Sequence, residues 1–335
     1  MSNFSLICRI TKGCGWDCEI KTKKKGKPIF LLIYLKWFKD NLNVYVMEKL
    51  FEQVSPTSSK LYLHNLKKLN GEAPTNLRFL KNTESILEKL EVLKPNTRKS
   101  YLIAIVKALK MSGIKSNMAL YDVYYPYLEE LNKQGQNNSK MTGGEMLNWV
   151  NDKELDEQTD MFEAFVDKIK LKRKLTDQET KILQDYVIFS LYTKTIPRRA
   201  TDYVRMTVSA PTEEKSVNYY HKGKFYFNNY KTQGTYGTQT MDVPPKLDNL
   251  LKLWLRFKNK DSPFLLLNKG KPFSQSSYIT TILNTIFGRK VSVNMLRKYY
   301  ATKTHGDEQK KLQETATAMG NSPETLKNHY IKTEE

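Results

Sequence analysis

Residues 216–243, SVNYYHKGKFYFNNYKTQGTYGTQTMDV, are the stretch where the apolar pattern of the chain changes its period. Tyr, Phe, Thr and Val are concentrated there, and two glycine-containing turns, KG at 222–223 and TQG at 232–234, divide the stretch into three runs. Aromatic and β-branched residues between such turns are typical of strands joined by hairpins. The stretch therefore predicts a three-stranded antiparallel meander.

Helical patterns surround the meander. Two apolar stripes at helical spacing precede it, Phe162, Phe165, Val166 and Ile169, then Ile182, Leu183, Tyr186, Val187 and Leu191. Helical signals resume from about Leu247 and continue to the C-terminus. The chain is thus predicted to be mainly α with a small antiparallel β-sheet.

The first half also has helical spacing, in a region punctuated by proline. Three stripes contain Tyr62, Leu66 and Leu69, then Ile86, Leu87 and Leu90, then Tyr101, Leu102, Ile105, Val106 and Leu109. Thr83 is the expected N-cap of the second stripe, and Asn96 precedes the third. Pro56, Pro74 and Pro95 stand where helices should begin or end. We predict a bundle of about four helices.

The segment 132–144, NKQGQNNSKMTGG, has no apolar periodicity and reads as a linker. It divides the chain into a helical domain, 53–135, and a second domain, 136–335, that contains the meander. Residues 1–52 are interpreted as an N-terminal extension packed on the helical domain, with no role that the sequence defines.

The charge of the chain indicates the class of its partner. The 335 residues include 55 Lys+Arg against 35 Asp+Glu, a formal net charge of +20. Such a charge favours a polyanion, and nucleic acid is the usual one. Only ten of the basic residues are arginine, so an arginine is expected to serve where a two-pronged grip on a phosphate is needed.

Neither a membrane segment nor a metal site is predicted. The longest apolar run, Ile29–Leu35, is seven residues, whereas a spanning helix needs about 20. The start lacks the pattern of a secretion signal, so we expect the protein to work inside a cell. Cys8, Cys14 and Cys18 lack a fourth zinc ligand nearby, and ordinary free thiols are the expected state.

Four short segments of the second domain contain the residue types that phosphodiester chemistry needs without a metal. They are TIPRRATDYVRM at 195–206, NNYKTQG at 228–234, SVNMLRKYYAT at 292–302 and AMGNSPETLKNHYIK at 318–332. Arg199 and Arg297 can stabilise charge on the phosphate oxygens, Tyr330 can attack the phosphorus, and Lys231 can supply a proton. The chain shows no carboxylate cluster of a two-metal nuclease and no GxxxxGKS loop.

In order and spacing, these segments resemble the conserved boxes of the tyrosine recombinase (phage integrase) family. Arg199, with Asp202 three residues later, matches the first arginine of the family, and Lys231 matches the catalytic lysine. Asn294 and Arg297 occupy the His-x-x-Arg box, so Arg297 is the second arginine.

The last box completes the resemblance, which spans roughly residues 55–335. Met319–Ser322 matches the Leu-Gly-His-Ser box, and Tyr330 matches the nucleophile. The first domain then resembles the core-binding, DNA-binding domain of the family, and the second its mixed α+β catalytic domain.

The resemblance implies a site-specific recombinase or integrase that cleaves and rejoins DNA through a 3′-phosphotyrosine. It implies double-stranded DNA as the partner, a homotetramer on two DNA sites, an intracellular location with DNA, and no cofactor or metal. Two rivals stay open, a type IB-like topoisomerase acting as a monomer and a catalytically inactive DNA-binding relative.

Several of these residues also have simpler interpretations. Asn294 and Asn321 stand where the family usually has His, and Asn can donate a hydrogen bond to a phosphate but cannot exchange a proton near neutral pH. His305 and His329 are close in sequence and could compensate. Lys231 has the alternative role of a solvated turn lysine, and Asn321 that of a helix cap or turn residue.

Overall fold

The structure is a computed structural model that describes residues 49–74, 76–136, 141–209 and 216–332, together with the strand backbone of 5–11 and 15–21. The chain divides into two compact units, residues 1–140 and 141–335. The described part is mainly helical with a small antiparallel sheet, as predicted.

The first unit begins with a hairpin and continues as helices. Strands β1 (Ser5–Thr11) and β2 (Gly15–Lys21) pair antiparallel, with Cys8 opposite Cys18 in the register. Residues 22–48 lie outside the described part, so the predicted packing of the extension is untested there. The helices are α1 (Pro56–Asn70), α2 (Thr83–Glu91), α3 (Pro95–Met111) and α4 (Lys115–Gln136).

Two of the three predicted proline positions are confirmed, Pro74 lies between helical elements, and one predicted cap is wrong. Pro56 and Pro95 occupy the first turns of α1 and α3, where a missing N–H costs no helical hydrogen bond. Asn82, and not Thr83, caps α2, because its side chain accepts a hydrogen bond from the Ser85 N–H.

A single apolar core holds the helices of the first unit together. Phe51, 1% exposed, lies edge-on to Tyr62 at 5.4 Å, so the chain enters this core before α1 begins. The buried Tyr124 hydroxyl on α4 donates to the Leu80 carbonyl at 2.8 Å. Burial raises the pKa of Tyr124 to about 12.

The predicted linker is shorter than expected. Helix α4 continues through Asn132 to Gln136, and the next helix, α5 (Gly143–Asn148), already begins at Gly143. Thr142 and Glu145 form a capping box at its start, which lets two glycines open a helix.

The second unit contains the remaining elements. Its helices are α6 (Asp152–Ile169), α7 (Asp177–Thr193), α8 (Ala200–Val204), α9 (Gln233–Tyr236), α10 (Pro245–Phe257), α11 (Ser277–Phe287), α12 (Val293–Ala318) and α13 (Pro323–Thr325), followed by a π-helical turn, Leu326–Tyr330. Its strands are β3 (Tyr219–His221), β4 (Lys224–Phe227), β5 (Gln239–Asp242), β6 (Leu267–Asn268) and β7 (Lys271–Pro272).

Helix α7 is the centre of this unit. All ten residues from Leu183 to Tyr192 are buried, and α6, α10, α11 and α12 pack against the helix. A helix that is apolar on every side is stable only when other elements surround it.

The predicted meander is confirmed, with sheet order β3-β4-β5 and both pairs antiparallel. Its first turn, Lys222–Gly223, has both φ angles positive, 46° and 74°, the geometry of a tight two-residue hairpin. Phe225 and Phe227 of β4 face the core, where both rings lie edge-on to Tyr203 of α8.

The second predicted turn is present, with the Thr235 N–H donating to the Thr232 carbonyl at 3.0 Å, but the connection around it is longer than expected. Residues 232–234 lie within an eleven-residue connection, 228–238, that includes the short helix α9. The prediction of a single sheet is also incomplete, since β6 and β7 form a separate hairpin around Lys269–Gly270, both with positive φ.

Helix α12 leaves the body of the unit. Its first turns are held by buried Val293 and Leu296, but every residue from Ala301 to Thr315 is exposed except Gly306 and Leu312. At roughly 100° per residue, Leu312 and Ala316 lie roughly 150° around the helix from Val293 and Leu296. The two halves therefore turn their apolar sides in nearly opposite directions, with Gly306 between them.

Candidate functional site

The predicted site residues lie on four elements of the second unit. Arg199 is the residue before α8, Lys231 lies in the 228–238 connection, Asn294 and Arg297 are on the first turns of α12, and Asn321 and Tyr330 follow the end of α12.

Arg198 and Arg199 are adjacent but have different environments. The Arg198 guanidinium pairs with Asp202 at 3.0 Å, donates to the Gln239 side chain at 2.7 Å, and covers the Phe227 ring at 3.8 Å from its centroid. Arg198 therefore belongs to the core. The Arg199 side chain is half-buried and forms no hydrogen bond or ion pair with any residue that the structure describes, so within this part of the chain its five donors are available to a ligand.

Arg297 is likewise without an acidic partner in the described part of the chain. Ser292 caps α12 by accepting from the Met295 N–H at 3.2 Å, and this fixes the turn on which Arg297 lies. The only polar contact of its guanidinium with described residues is a long one, 3.5 Å, to the Asn294 Oδ1. Asn294 thus accepts from Arg297, and its amide donors have no partner among the residues that the structure describes.

A buried tyrosine links Arg297 to the helix that follows Arg199. Tyr192 of α7 is 2% exposed, and its hydroxyl has no hydrogen-bond partner among the described residues. Burial raises the pKa of Tyr192 well above its ordinary value, and the nearby Tyr203 and Asp202 add to that rise. The charge of Arg297 acts in the opposite direction. The Tyr203 ring of α8 lies edge-on to the Tyr192 ring at 5.8 Å, so α8 packs against the tyrosine whose pKa the charge of Arg297 lowers.

Lys231 is held near this cluster by a residue that the sequence analysis missed. Asn218 is 6% exposed and donates to the carbonyl of Asp202 in α8 and to that of Asn229, both at 2.8 Å. Its Oδ1 accepts from the N–H groups of Asn228 at 2.8 Å and Asn229 at 2.7 Å. One buried amide thus fastens α8 to the connection that leads to Lys231, whose side chain is exposed.

No sequence signal marked Asn218. It lies in the stretch assigned to the meander, where Asn is disfavoured, and that mismatch with a strand pattern was the available clue. We call Asn218 and its four hydrogen bonds the Asn218 clip. The clip depends on backbone groups of Asp202, Asn228 and Asn229, which are distant from Asn218 in the sequence.

Asn321 has the simpler of its two predicted roles. Its N–H bonds the Ala316 carbonyl at 2.8 Å while Gly320 takes a φ of 70°, the arrangement that ends a helix, and its side chain donates to the Met319 carbonyl at 3.1 Å. Asn321 therefore terminates α12, and the following Ser322 caps α13.

Tyr330 is 56% exposed and lies outside the cluster in this conformation. The helical rise from Arg297 to Ala316 is about 28 Å at 1.5 Å per residue. The residues 323–330, even if they ran straight back, would recover only about 12 Å of it. The structure brings Asn294 into contact with Arg297, and the Asn218 hydrogen bonds connect the helix after Arg199 to the connection that contains Lys231. It does not bring Tyr330 or Asn321 close to Arg297.

Other features of the unit do not compete with this region. A cavity of about 370 Å³ between α6, α7 and α10, lined by Val166, Tyr186 and Leu250, contains none of these residues. Among the described residues there is no group of three or more His, Cys, Asp or Glu side chains placed to hold a metal ion. None of the described helices combines the length and the apolar content needed to cross a bilayer.

Compared with known proteins, the chain matches no family model and no curated protein sequence. The resemblance to tyrosine recombinases therefore remains a prediction.

Replacing Asn218 should destabilise the second unit. Asn218→Ala leaves four backbone groups without partners, so we expect the free energy of unfolding to fall by about 3 kcal/mol. Denaturant unfolding followed by tryptophan fluorescence measures this change. Asn268→Ala, at an exposed position of β6, is the control and should change the value by less than about 0.5 kcal/mol. Equal stability of the two variants would contradict the clip.

Gly306 separates the two halves of α12 and provides a second prediction. A Cβ at this position would meet only the Thr302 Cγ2, at 3.6 Å, so alanine fits. Gly306→Ala should stabilise the straight helix by about 1 kcal/mol. If Tyr330 reaches the arginines through a bend here, DNA cleavage should fall about fivefold in the more stable variant. Higher stability with unchanged cleavage would show that no bend at Gly306 is required.

Proposed function

We propose that the protein is a DNA strand-exchange enzyme that cleaves and rejoins DNA through a 3′-phosphotyrosine. The observation that supports this proposal best is the pair Arg199 and Arg297, two half-buried arginines whose guanidinium groups have no carboxylate partner in the described part of the chain. Unpaired, half-buried arginines in a protein of net charge +20 suit an anionic ligand such as a DNA phosphate.

The contrast with four other arginines strengthens this inference, whereas Arg78, Arg173 and Arg205 also lack a carboxylate partner in the described part of the chain but are exposed. Arg98 donates to three backbone carbonyls, Arg256 donates to the Lys170 carbonyl, and Arg289 forms a bidentate pair with Glu154. Like Arg198, these three arginines use their guanidinium groups in contacts that stabilise the fold. The expectation that arginine marks phosphate binding is therefore wrong for them, and the half-buried Arg199 and Arg297 stand out.

In the proposed reaction, the arginines hold the non-bridging oxygens and the Asn294 amide adds a hydrogen bond. The Tyr330 oxygen forms a bond to phosphorus and releases its proton to solvent, while the bond to the 5′ oxygen breaks. Lys231 gives that oxygen a proton. Because the phosphodiester energy is kept in the tyrosine ester, the reverse attack by a 5′-hydroxyl reseals the strand without ATP.

The position of Tyr330 sets a condition on this proposal. Attack requires the segment after Gly306 to move towards the arginines, or Tyr330 to come from another protomer. Mixing the Tyr330→Phe variant with the Arg297→Ala variant distinguishes the two routes. Activity is restored only if Tyr330 comes from another protomer, because only then does one site of the mixture contain both Tyr330 and Arg297. The homotetramer on two DNA sites is part of the proposal.

The position of Tyr330 outside the cluster also supports the rival proposal of a DNA-binding protein without catalytic activity. The presence of Asn294 and Asn321 where the family usually has His supports the same rival. The topoisomerase rival requires relaxation of supercoiled DNA by a monomer.

The salt dependence of DNA binding tests the partner. A protein that neutralises six to ten phosphates loses about 10³- to 10⁵-fold in affinity between 50 and 200 mM salt. We expect a slope of this kind in fluorescence anisotropy with a labelled duplex. A shallow slope would exclude double-stranded DNA as the main ligand.

A covalent adduct tests the chemistry. On a nicked duplex whose short 5′-hydroxyl fragment diffuses away, we expect a protein–DNA band that survives denaturant, lost in Tyr330→Phe and kept in the exposed control Tyr278→Phe. Arg199→Lys and Arg297→Lys should lower the adduct at least about tenfold, because an ammonium cannot replace the two-pronged grip. Arg173→Lys, at an exposed loop position, is the matched control.

An adduct that survives Tyr330→Phe would exclude Tyr330 as the nucleophile. Tight binding without any adduct from the unaltered chain would favour the inactive DNA-binding protein.

A further inference from the structure

Tyr236 occupies the most exposed position of any aromatic side chain in the described part of the chain. It is 66% exposed, against 56% for Tyr330 and 44% for Tyr127. It ends the short helix α9 in the 228–238 connection, five residues after Lys231, and residues 233–238 around it are all exposed. The ring thus stands at the tip of a loop, where it has no packing role in the fold.

The base of this loop is rigid although its tip is exposed. The buried Tyr230 closes the loop by donating from its hydroxyl to the Gly237 carbonyl at 2.7 Å, and Arg198 covers the Tyr230 ring at 4.8 Å. Gly237, with a φ of 66°, reverses the chain immediately after Tyr236. The Asn218 clip holds the other end through Asn228 and Asn229. The fold therefore already fixes the position from which Tyr236 projects, so little ordering is needed on binding.

The chemistry of the loop favours a nucleic acid as its ligand. The sequence NNYKTQGTYGT, residues 228–238, has no acidic residue, and Lys231 is its only charge. An exposed aromatic ring beside a cation can stack on a nucleobase while the cation faces a phosphate, whereas a carboxylate would repel the backbone.

We propose that Tyr236 stacks on a base of the bound DNA next to the phosphate that Lys231 contacts. This inference rests on the proposed function in requiring DNA as the ligand, but it does not require cleavage. It assigns the 228–238 loop a base contact in addition to its catalytic lysine. Stacking tolerates any base but favours steps that open easily, so the loop would contribute to site preference through DNA deformability.

Binding measurements on three variants test the inference. Tyr236→Ala should weaken binding to a labelled duplex by roughly 5- to 150-fold, the range expected for loss of one stacked base. Tyr236→Phe keeps the ring and should bind like the unaltered chain, as should the control Tyr278→Ala. Because Tyr236 is uncharged, the slope of affinity against salt should stay constant, whereas Lys231→Gln should lower it by about one.

A fluorescent base gives the direct readout. 2-Aminopurine placed at successive positions of the duplex should be quenched at one position by the unaltered chain and by Tyr236→Phe, and not by Tyr236→Ala. Thermal unfolding of Tyr236→Ala and Tyr236→Phe should be unchanged, since the Tyr236 ring is exposed.

Two outcomes would overturn the inference, and only the second would also overturn the proposed function. If the unaltered chain binds DNA with a steep salt slope but Tyr236→Ala binds equally well, the stacking contact is wrong and the proposed function stands. If the unaltered chain shows no salt-dependent binding to duplex DNA, both proposals fail.

Discussion

The ion pair between Arg198 and Asp202 is the interaction on which the candidate site depends. The guanidinium connects α8 to β4 through Phe227 and to β5 through Gln239, and both charged groups are largely removed from water. A charge of this kind is stable in the interior only while its partner is present, and removing one partner costs about 3–5 kcal/mol. Because Arg198 is committed to this role, the neighbouring Arg199 is the arginine that stays available to a ligand.

The parts of the fold that the sequence predicted are those determined by local pattern. Helices α6 and α7 follow from apolar spacing, and the meander follows from aromatic runs divided by the glycine turn at Lys222–Gly223. The N-cap of α2 was predicted one residue too late, at Thr83, because Asn and Thr are both good caps. Only the hydrogen bond from the Ser85 N–H distinguishes Asn82 from Thr83. The length of the 228–238 connection was not predicted, because a glycine pattern indicates where the chain turns and not how many residues the connection contains.

The sequence predicted which residues belong to the candidate site, but it did not predict how they are arranged in space. Spacing along the chain identified Arg199, Lys231 and Arg297, but nothing in the sequence separated Arg198 from Arg199, since both are arginines before the same helix. Asn218 was missed because its four hydrogen bonds go to backbone groups, and backbone groups leave no trace in sequence patterns. Matching the order of motifs likewise gives no information about the length of a helix between them.

That length has a physical consequence for the proposed mechanism. Helix α12 extends past Gly306 into solvent although its second half carries Leu312 and Ala316 on a face turned away from the body of the unit. A continuous helix keeps its backbone hydrogen bonds, and Ala316 on this face is already buried, so bending at Gly306 would break a few of those bonds. The groups that the proposed function assigns to phosphate binding lie in the folded body, whereas the proposed nucleophile, Tyr330, lies on the segment after Gly306, whose position would depend on such a bend. Under the proposed function, phosphate binding therefore does not require Tyr330, and strand cleavage begins only once the segment after Gly306 reaches the arginines.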